Sequence, residues 1–258
     1  MKRVVFNQKG GVGKSSITTN LAAISAARGL RTLIVDLDPQ CNSTQYLLGE
    51  NAAHTQADIH GLFEQILTRQ LKPASADEFV HETPYENLFL IPSSPEVGDL
   101  HAKLEAKHKI YKLRDALNRL DEYDAIYIDT PPAFNFFTLS ALVAAERCLI
   151  PFDCDEFARQ ALYSLLDNVR ETQIDHNEAL QVEGIVVNQF QPRASLPQKI
   201  VAQLAEEQLP LLNTRISSSV KMRESHDESR PLIHLAPNHK LTKEFVALFD
   251  ELHPVTTP

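Results

Sequence analysis

The stretch FNQKGGVGKSS, Phe6–Ser16, decides the fold because it places a glycine-rich turn between a short β-branched run and a helical pattern. The run RVVFN ends at Asn7, and a helix is predicted from about Ser15 to Arg28. Glycines let the backbone turn tightly, so that successive N–H groups point at one anion, and the N-terminus of the following helix favours negative charge. The stretch therefore predicts a phosphate-binding loop.

Side chains of this loop have separate predicted tasks. The GKS ending predicts that Lys14 contacts the β and γ phosphates of a nucleotide and that the Ser15 hydroxyl binds Mg²⁺. Lys9 is a second lysine, which a single phosphate site does not require, and Gln8 stands where the usual pattern begins with glycine. The residues predicted to bind the nucleotide through this loop are Gly10, Gly11, Val12, Gly13, Lys14, Ser15 and Ser16.

The composition is that of an ordinary globular protein. The 258 residues are 43% hydrophobic and carry a formal net charge of −9, which excludes a uniformly basic nucleic-acid binder but permits a local basic face. MKRVVFN lacks the features of a signal peptide, and no segment reaches the roughly 18 apolar residues of a membrane span. Three cysteines without metal-ligand spacing indicate a reducing cytoplasm. We predict one domain over residues 1–258, with residues 253–258 as a flexible tail.

Apolar runs alternate with helical patterns along the chain. The runs that predict strands after the first are RTLIVDLD at 31–38, ENLFLIPSS at 86–94, YDAIYIDTPP at 123–132, RCLIPFD at 147–153 and EGIVVNQF at 183–190. Several are apolar on both faces, as is typical of central strands in a parallel sheet covered by helices on each side. The predicted fold is therefore α/β, a doubly wound and mostly parallel sheet with helices on both faces. Residues 50–58 and 71–87 are predicted to be surface loops with one or two peripheral helices.

The quoted loop carries a family resemblance. NQKGGVGKSS, Asn7–Ser16, resembles the deviant Walker A P-loop of the ParA/MinD branch of ATPases, whose pattern lacks the first glycine and adds a lysine, here Lys9. Three further segments resemble that family in the same order: VDLDPQCNST at 35–44, IYIDTPPAFNFFTLSAL at 126–142 and CLIPFDCDEFARQAL at 148–162. The resemblance implies a P-loop NTPase fold of the deviant Walker A branch and an ATPase that uses ATP and Mg²⁺.

The resemblance also implies roles for charged residues. Lys9 would reach across a nucleotide-sandwich homodimer, formed when ATP is bound, to the phosphates of the partner subunit, as an arginine finger does. Lys14 and Asp38 complete the implied catalytic set, and Asp38 would orient the attacking water. Asp129 would hold Mg²⁺ directly or through water at the carboxyl end of its strand, with Asp36 supporting the metal.

Other matches to the family are less specific. Asn188 ends a strand where the family often contacts the base, although asparagine at a strand end is as often a turn former. Cys41 stands where many relatives have glycine, so it would be strained if that position needs a positive φ. Three phenylalanines are candidates for a dimer interface, a partner pocket or the core, and at least one is expected in the core. They are Phe134, Phe136 and Phe137.

Two surfaces bear on what the ATPase would act on. The C-terminal segment has an apolar helical stripe beside Asp250 and Glu251, which an anionic membrane would repel, so we expect this helix to dock on the core. Residues 188–243 hold eight Lys/Arg against five Asp/Glu, a balance of +3 that leaves −12 for the rest of the chain. By resemblance, Arg193 and Lys221 match DNA-binding positions, and such phosphate contacts carry no sequence information. The candidate DNA-binding residues are Arg193, Lys221, Arg223, Arg230 and Lys240.

The leading hypothesis is a ParA-type ATPase, associated with the nucleoid, that binds non-specific double-stranded DNA and segregates or positions a cargo. A ParB-like or cargo-adaptor partner would stimulate the otherwise slow ATP hydrolysis, and hydrolysis would release the ATPase from DNA. The cargo, a plasmid, a chromosome region or a protein cluster, is not specified by the sequence. One alternative is a MinD-like ATPase that cycles on a membrane. Another is a metabolic or electron-transfer enzyme on the same scaffold, such as an ATP-dependent ligase or a relative of iron–sulfur reductases.

Overall fold

The computed structural model describes residues 1–55, 57–68, 72–154 and 158–254. The strands in these ranges are β1 Lys2–Val5, β2 Thr32–Asp36, β3 His81–Glu82, β4 Leu88–Ile91, β5 Ala125–Asp129, β6 Arg147–Asp153, β7 Gln181–Phe190 and β8 Leu211–Ser217. The α-helices are α1 Lys14–Ala27, α2 Asn42–Leu48, α3 Ile59–Leu67, α4 Val97–Ala106, α5 Lys112–Leu117, α6 Phe136–Ala144, α7 Ala158–Asp175, α8 Ser195–Glu206, α9 Val220–Asp227, α10 Leu232–Leu235 and α11 Lys240–Leu252. Short 3₁₀ segments lie at Gly49–His54 and Ala76–Phe79.

The eight strands of the described residues form one sheet in the order β3-β4-β2-β5-β1-β6-β7-β8. Neighbouring strands pair in parallel except β3, which runs antiparallel to β4 at the edge. The predicted mostly parallel sheet is confirmed. Because β1 lies between β5 and β6, the chain leaves β1 at the centre of the sheet, where ligands bind in open α/β folds.

The sheet buries a hydrophobic core on each of its two faces. On β5, Ile126 and Ile128 belong to one core and Tyr127 to the other, as the two-residue period of a strand requires. Leu21 of α1 and Phe245 of α11 share the core of Tyr127, while residues of α3 to α8 pack in the core of Ile126. Helices therefore cover both faces, and the doubly wound arrangement is confirmed.

The C-terminal helix α11 packs on the core. Its apolar stripe, Leu241, Phe245, Leu248, Phe249 and Leu252, is buried, so the predicted docking is confirmed. Among the described residues, no helix has both the length and the apolar character needed to cross a bilayer. His253 stacks on Phe249, and residues 255–258 of the predicted tail lie outside the described residues.

Candidate functional site

The glycine-rich turn leaves β1 and opens α1 at the carboxyl edge of the sheet. Gly11 and Gly13 have φ values of 77° and 89°, in the left-handed region that other residues rarely adopt. The bond from Ile17 N–H to the Gly13 carbonyl, 2.9 Å, closes the first turn of α1. N–H groups ahead of that bond have no acceptor within the helix, so they are available to an anion.

Strand β7 holds this loop from behind. The Asn188 amide donates to the Val12 carbonyl at 2.8 Å, and the Gln189 amide donates to the Gly11 carbonyl at 2.8 Å. A Cβ on Gly13 would lie 2.2 Å from the Asn188 amide nitrogen, so only glycine fits there. Asn188 therefore supports the loop, and its contact with a base stays a prediction. The contribution of Gln189 was not foreseen from the sequence.

The two lysines of the loop are placed differently. The Lys14 side chain is buried, and its Nζ donates to the Lys9 carbonyl at 3.2 Å. Burial lowers the pKa of Lys14, while the charges of Asp129 and Asp38 oppose that shift. The Lys9 side chain is 38% exposed, and its Nζ lies 3.9 Å from the Asp153 carboxylate. Lys14 thus lies inside its own loop, and Lys9 extends along its outer side.

Two aspartates face each other at the carboxyl ends of β2 and β5. Asp36 pairs with Asp129 in the strand register, and both are fully buried. Asp36 accepts hydrogen bonds from the Asp38 N–H at 3.0 Å and from the N–H and hydroxyl of Thr44 at 2.9 and 2.8 Å. Burial and the neighbouring Asp129 charge raise the pKa of Asp36 to about 8. Asp36 therefore holds the loop after β2 against the start of α2.

Asp129 lies closer to the phosphate loop than Asp36 does. The Ser43 hydroxyl donates to its carboxylate at 2.7 Å, and the Ser15 side chain also hydrogen-bonds it. Burial raises the pKa of Asp129 to about 6, although these two hydroxyls and the Lys14 charge lower it. Carboxylate and hydroxyl oxygens next to a phosphate site suit Mg²⁺, and a cation would offset the buried negative charge. Ser15 and Asp129 therefore fit the predicted metal position.

A cavity of about 470 Å³ lies over the loop, within the usual size range of ligand sites. The loop residues from Gly10 to Ser16 form one wall, except for Val12, whose side chain is buried beneath it. Asp38 lines the cavity, where its carboxylate accepts from the Gln40 N–H at 3.0 Å. Lys14, Ser15 and Asp38 thus share one cavity, as the sequence predicts.

The remaining wall of the cavity was missed by sequence reasoning. Tyr46 of α2 and His226 of α9 line it opposite the loop. The His226 Nε2 atom lies 3.0 Å from the Ser16 hydroxyl, and the Tyr46 and His226 rings meet edge to face at 4.5 Å. No local motif marks Tyr46 or His226, and the contact of His226 with Ser16 spans 210 positions.

Cys41 has a left-handed backbone conformation, so the positive φ that would strain a cysteine in place of the family's glycine is present. Its φ of 56° and ψ of 30° are unfavourable for a side chain with a Cβ. The thiol is buried, and burial raises its pKa to about 12, so it is a poor nucleophile at neutral pH.

Of the three phenylalanines, Phe136 and Phe137 are in the core, as expected of at least one, while Phe134 is 39% exposed.

None of the five candidate DNA-binding residues lines the cavity, although Arg223 and Arg230 flank His226 and Ser229, which do. Arg193, Arg223, Arg230 and Lys240 are exposed, and Lys221 is partly exposed. Lys221 pairs with Glu224, and the Lys240 Nζ lies 3.4 Å from the Glu244 carboxylate. These carboxylates reduce the local positive charge, so the basic face is weaker than the lysine and arginine count indicates. DNA contact at these residues stays a prediction.

Sequence comparisons identify relatives over nearly the whole chain. The AAA domain family model matches residues 2–182. The chromosome partitioning protein ParA of Myxococcus xanthus is 32% identical over 257 residues, which are 98% of this chain and 88% of that protein. The chromosome-partitioning ATPase Soj of Treponema pallidum is 34% identical over 237 residues, which are 90% of this chain and 88% of that protein.

Solved structures show the same architecture. Cobyrinic acid a,c-diamide synthase from Mycobacterium smegmatis, with bound ADP and magnesium, is 26% identical, with a TM-score of 0.76 over 93% of this chain and 97% of that chain. McdA from Cyanothece without nucleotide has a TM-score of 0.84 at 22% identity, over 97% of this chain and 98% of that chain. This second likeness shows the fold alone. With these relatives and the phosphate-loop geometry, the chain belongs to the AAA domain family and, within it, to the ParA/Soj-type ATPases.

Proposed function

We propose that this protein binds ATP with Mg²⁺, forms a nucleotide-sandwich homodimer and hydrolyses ATP slowly until a partner stimulates it. The observation that carries the proposal is that Lys14, Ser15 and Asp38 line one cavity at the carboxyl edge of the sheet, with the buried Asp129 hydrogen-bonded to the Ser15 side chain. The magnesium and ADP bound by the M. smegmatis relative support the same ligands here.

The loop and the three aspartates each have a task in this proposal. The loop N–H groups and Lys14 bind the phosphates, and Ser15 and Asp129 hold the metal, which would neutralise charge on the β and γ phosphates. Asp36 supports the metal side of the site by accepting hydrogen bonds from Thr44 at the start of α2. Asp38 lines the cavity as a carboxylate and orients the attacking water.

Lys9 has its task in the dimer. Its partly exposed side chain would reach the phosphates bound by the partner subunit, a fixed cation that acts in trans. Cations supplied in this way raise hydrolysis rates by about 10³–10⁵ where they have been measured. The Lys14 side chain already occupies the inner side of the loop, which supports an outward task for Lys9.

We propose that the ATP-bound protein associates with DNA rather than with a membrane. The apolar stripe of α11 is buried against the core, so it offers no membrane anchor as folded, and the exposed arginines lie elsewhere. The ATP-bound dimer would associate with nucleoid DNA in the cytoplasm, and a ParB-like or cargo-adaptor protein would trigger its release. The cargo would be a plasmid, a chromosome region or a protein cluster, and the names of the M. xanthus and T. pallidum relatives favour a chromosome region.

Binding to random-sequence double-stranded DNA, measured with ATP, with ADP and without nucleotide, tests this proposal. We expect tight binding only with ATP and Mg²⁺, with affinity that falls steeply with salt. Arg223→Ala should weaken binding on every sequence and reduce the salt slope by about 1, whereas Arg119→Ala on the opposite side should not. DNA affinity that is independent of ATP, or absent at low salt, would contradict the DNA part, and a lack of ATP hydrolysis would contradict the enzyme part.

A further inference from the structure

His226 enters the nucleotide cavity from α9, an element that contains none of the family motifs. Its side chain is exposed to the cavity, and its Nε2 atom lies 3.0 Å from the Ser16 hydroxyl in the first turn of α1. The polar edge of this ring therefore borders the space that the phosphates of a bound nucleotide would occupy.

The position of His226 is fixed by a buried polar cluster. The hydroxyls of Tyr46 and Ser225 are 2.5 Å apart, and Asn20 donates to the Tyr46 hydroxyl at 3.1 Å. Asn20 also accepts from the Leu232 N–H at 2.9 Å, which ties α10 to α1. The Tyr46 ring packs edge to face on the His226 ring. The segment 225–232 is therefore held at both ends, by Tyr46 and by Asn20. These contacts keep His226 close to the phosphate loop.

The location along the loop indicates which phosphate His226 faces. Lys14 of a P-loop reaches the β and γ phosphates, while the loop N–H groups hold the α and β phosphates. Ser16 follows Lys14 by two residues in the first turn of α1, so we assign to a side chain at Ser16 the phosphate held by the loop N–H groups, not the one Lys14 reaches. Partial burial lowers the pKa of His226, so the ring stays neutral near pH 7 and keeps one N–H to donate.

On the basis of the proposed function, we propose that His226 is a nucleotide-binding residue whose Nε2–H donates a hydrogen bond to the α-phosphate. On nucleotide binding this bond replaces the one between His226 and the Ser16 hydroxyl. The ligand class is therefore a nucleoside diphosphate or triphosphate, and His226 contributes equally to both.

The test is calorimetric titration of the full chain with ATP and with ADP, each with Mg²⁺. His226→Ala is expected to weaken both nucleotides by the same factor, about three- to tenfold for one lost hydrogen bond. His226→Gln, which keeps an N–H donor, should retain more affinity than His226→Phe, which keeps only a ring. His60→Gln on α3, away from the cavity, is the matched control and should bind like the wild type.

Several results would overturn the assignment. Recovery of affinity in His226→Phe would indicate stacking on the base, and a loss confined to ATP would place the contact at the γ-phosphate. Unchanged affinity in all three variants would mean that His226 only ties α9 to Ser16. If His226→Ala unfolds, the comparison of His226→Gln with His226→Phe still tests the proposal, because only the glutamine variant keeps an N–H donor. Failure of the wild type to bind ATP would instead contradict the proposed function itself.

Discussion

At the residue scale, Cys41 is in a conformation that its side chain opposes. A non-glycine residue in the left-handed region costs about 1 kcal/mol or more, and Cys41 has a φ of 56°. We therefore expect Cys41→Gly to be more stable than Cys41→Ala by roughly 1 kcal/mol, because both lose the thiol and only glycine loses the strain. Urea unfolding of the two variants measures this difference.

An exposed helical site supplies the control for Cys41. At Glu171 in α7, alanine should be more stable than glycine by about 1 kcal/mol, the usual order in a helix. The order at Cys41 should be the reverse. If alanine is also the more stable residue at position 41, the left-handed conformation does not carry the expected cost.

The buried pair of Asp36 and Asp129 makes stability depend on pH when metal and nucleotide are absent. Burial raises the pKa of Asp36 to about 8 and of Asp129 to about 6, above the 3.8 of an exposed aspartate. The folded protein therefore binds protons that the unfolded chain has released, so the free energy of unfolding falls as pH rises through this window. Asp129→Asn should reduce that fall by about 1–3 kcal/mol between pH 5 and 8.

Chemical denaturation in EDTA at several pH values measures this dependence. The exposed Asp167→Asn variant is the control and should follow the wild type. A wild-type stability that rises between pH 5 and 8, with the same slope in Asp129→Asn, would show that the carboxylates are not repelling each other.

The site residues that the sequence predicts are those that local patterns mark, namely the phosphate loop and the strand ends at Asp36, Asp38, Asp129 and Asn188. Gly13, Lys14 and Ser15 are adjacent, and their chemistry follows from spacing alone. The contact of Asn188 with Val12 spans 176 positions, and that of His226 with Ser16 spans 210. Local spacing does not reveal such contacts, because they depend on where β7 and α9 pack in the folded chain. Sequence reasoning therefore identified the phosphate half of the cavity and not its opposite wall.

At the element scale, central strands were predictable and edge strands were not. The run RCLIPFD at 147–153 matches β6 residue for residue, since both faces of that strand are covered by helices. Strand β8 contains Asn213 and Arg215 among its seven residues, and only Ile216 is buried. Strand β3 has two residues at the other edge. With one side open to solvent, these segments need no continuous apolar run, so their sequences resemble loops.

Helix α11 offers a test of docking against membrane anchoring. Phe245 is fully buried against the core of Tyr127, so Phe245→Ala should cost about 3–5 kcal/mol of unfolding free energy. Lys243→Ala, on the exposed side of the same helix, should change stability by less than about 0.5 kcal/mol. The wild type should not sediment with anionic vesicles. Vesicle binding that Phe245→Ala abolishes without loss of stability would support the membrane-cycling alternative.

At the scale of the whole molecule, the sheet topology gives the two lysines different surroundings. The flanking strands β5 and β6 place Asp129 on one side of the loop and Asp153 on the other. Lys14 is drawn inward beside Asp129 and Asp38, whereas Lys9 lies beside the partly exposed Asp153. The chain therefore has one buried lysine in the phosphate loop and a second, partly exposed lysine beside Asp153, an arrangement that the proposed homodimer requires.

The pair Lys9→Ala and Lys14→Ala tests that division of tasks. Lys14→Ala should lose ATP binding, because the charge facing the β and γ phosphates is gone. Lys9→Ala should bind ATP with nearly wild-type affinity as a monomer but form a weaker dimer and lose most partner-stimulated hydrolysis, by about 10³-fold or more if the lysine acts as a finger in trans. Calorimetry, sedimentation with ATP and phosphate release measure the three properties. Equal loss of ATP binding in both variants would instead make Lys9 a second ligand of its own subunit's nucleotide.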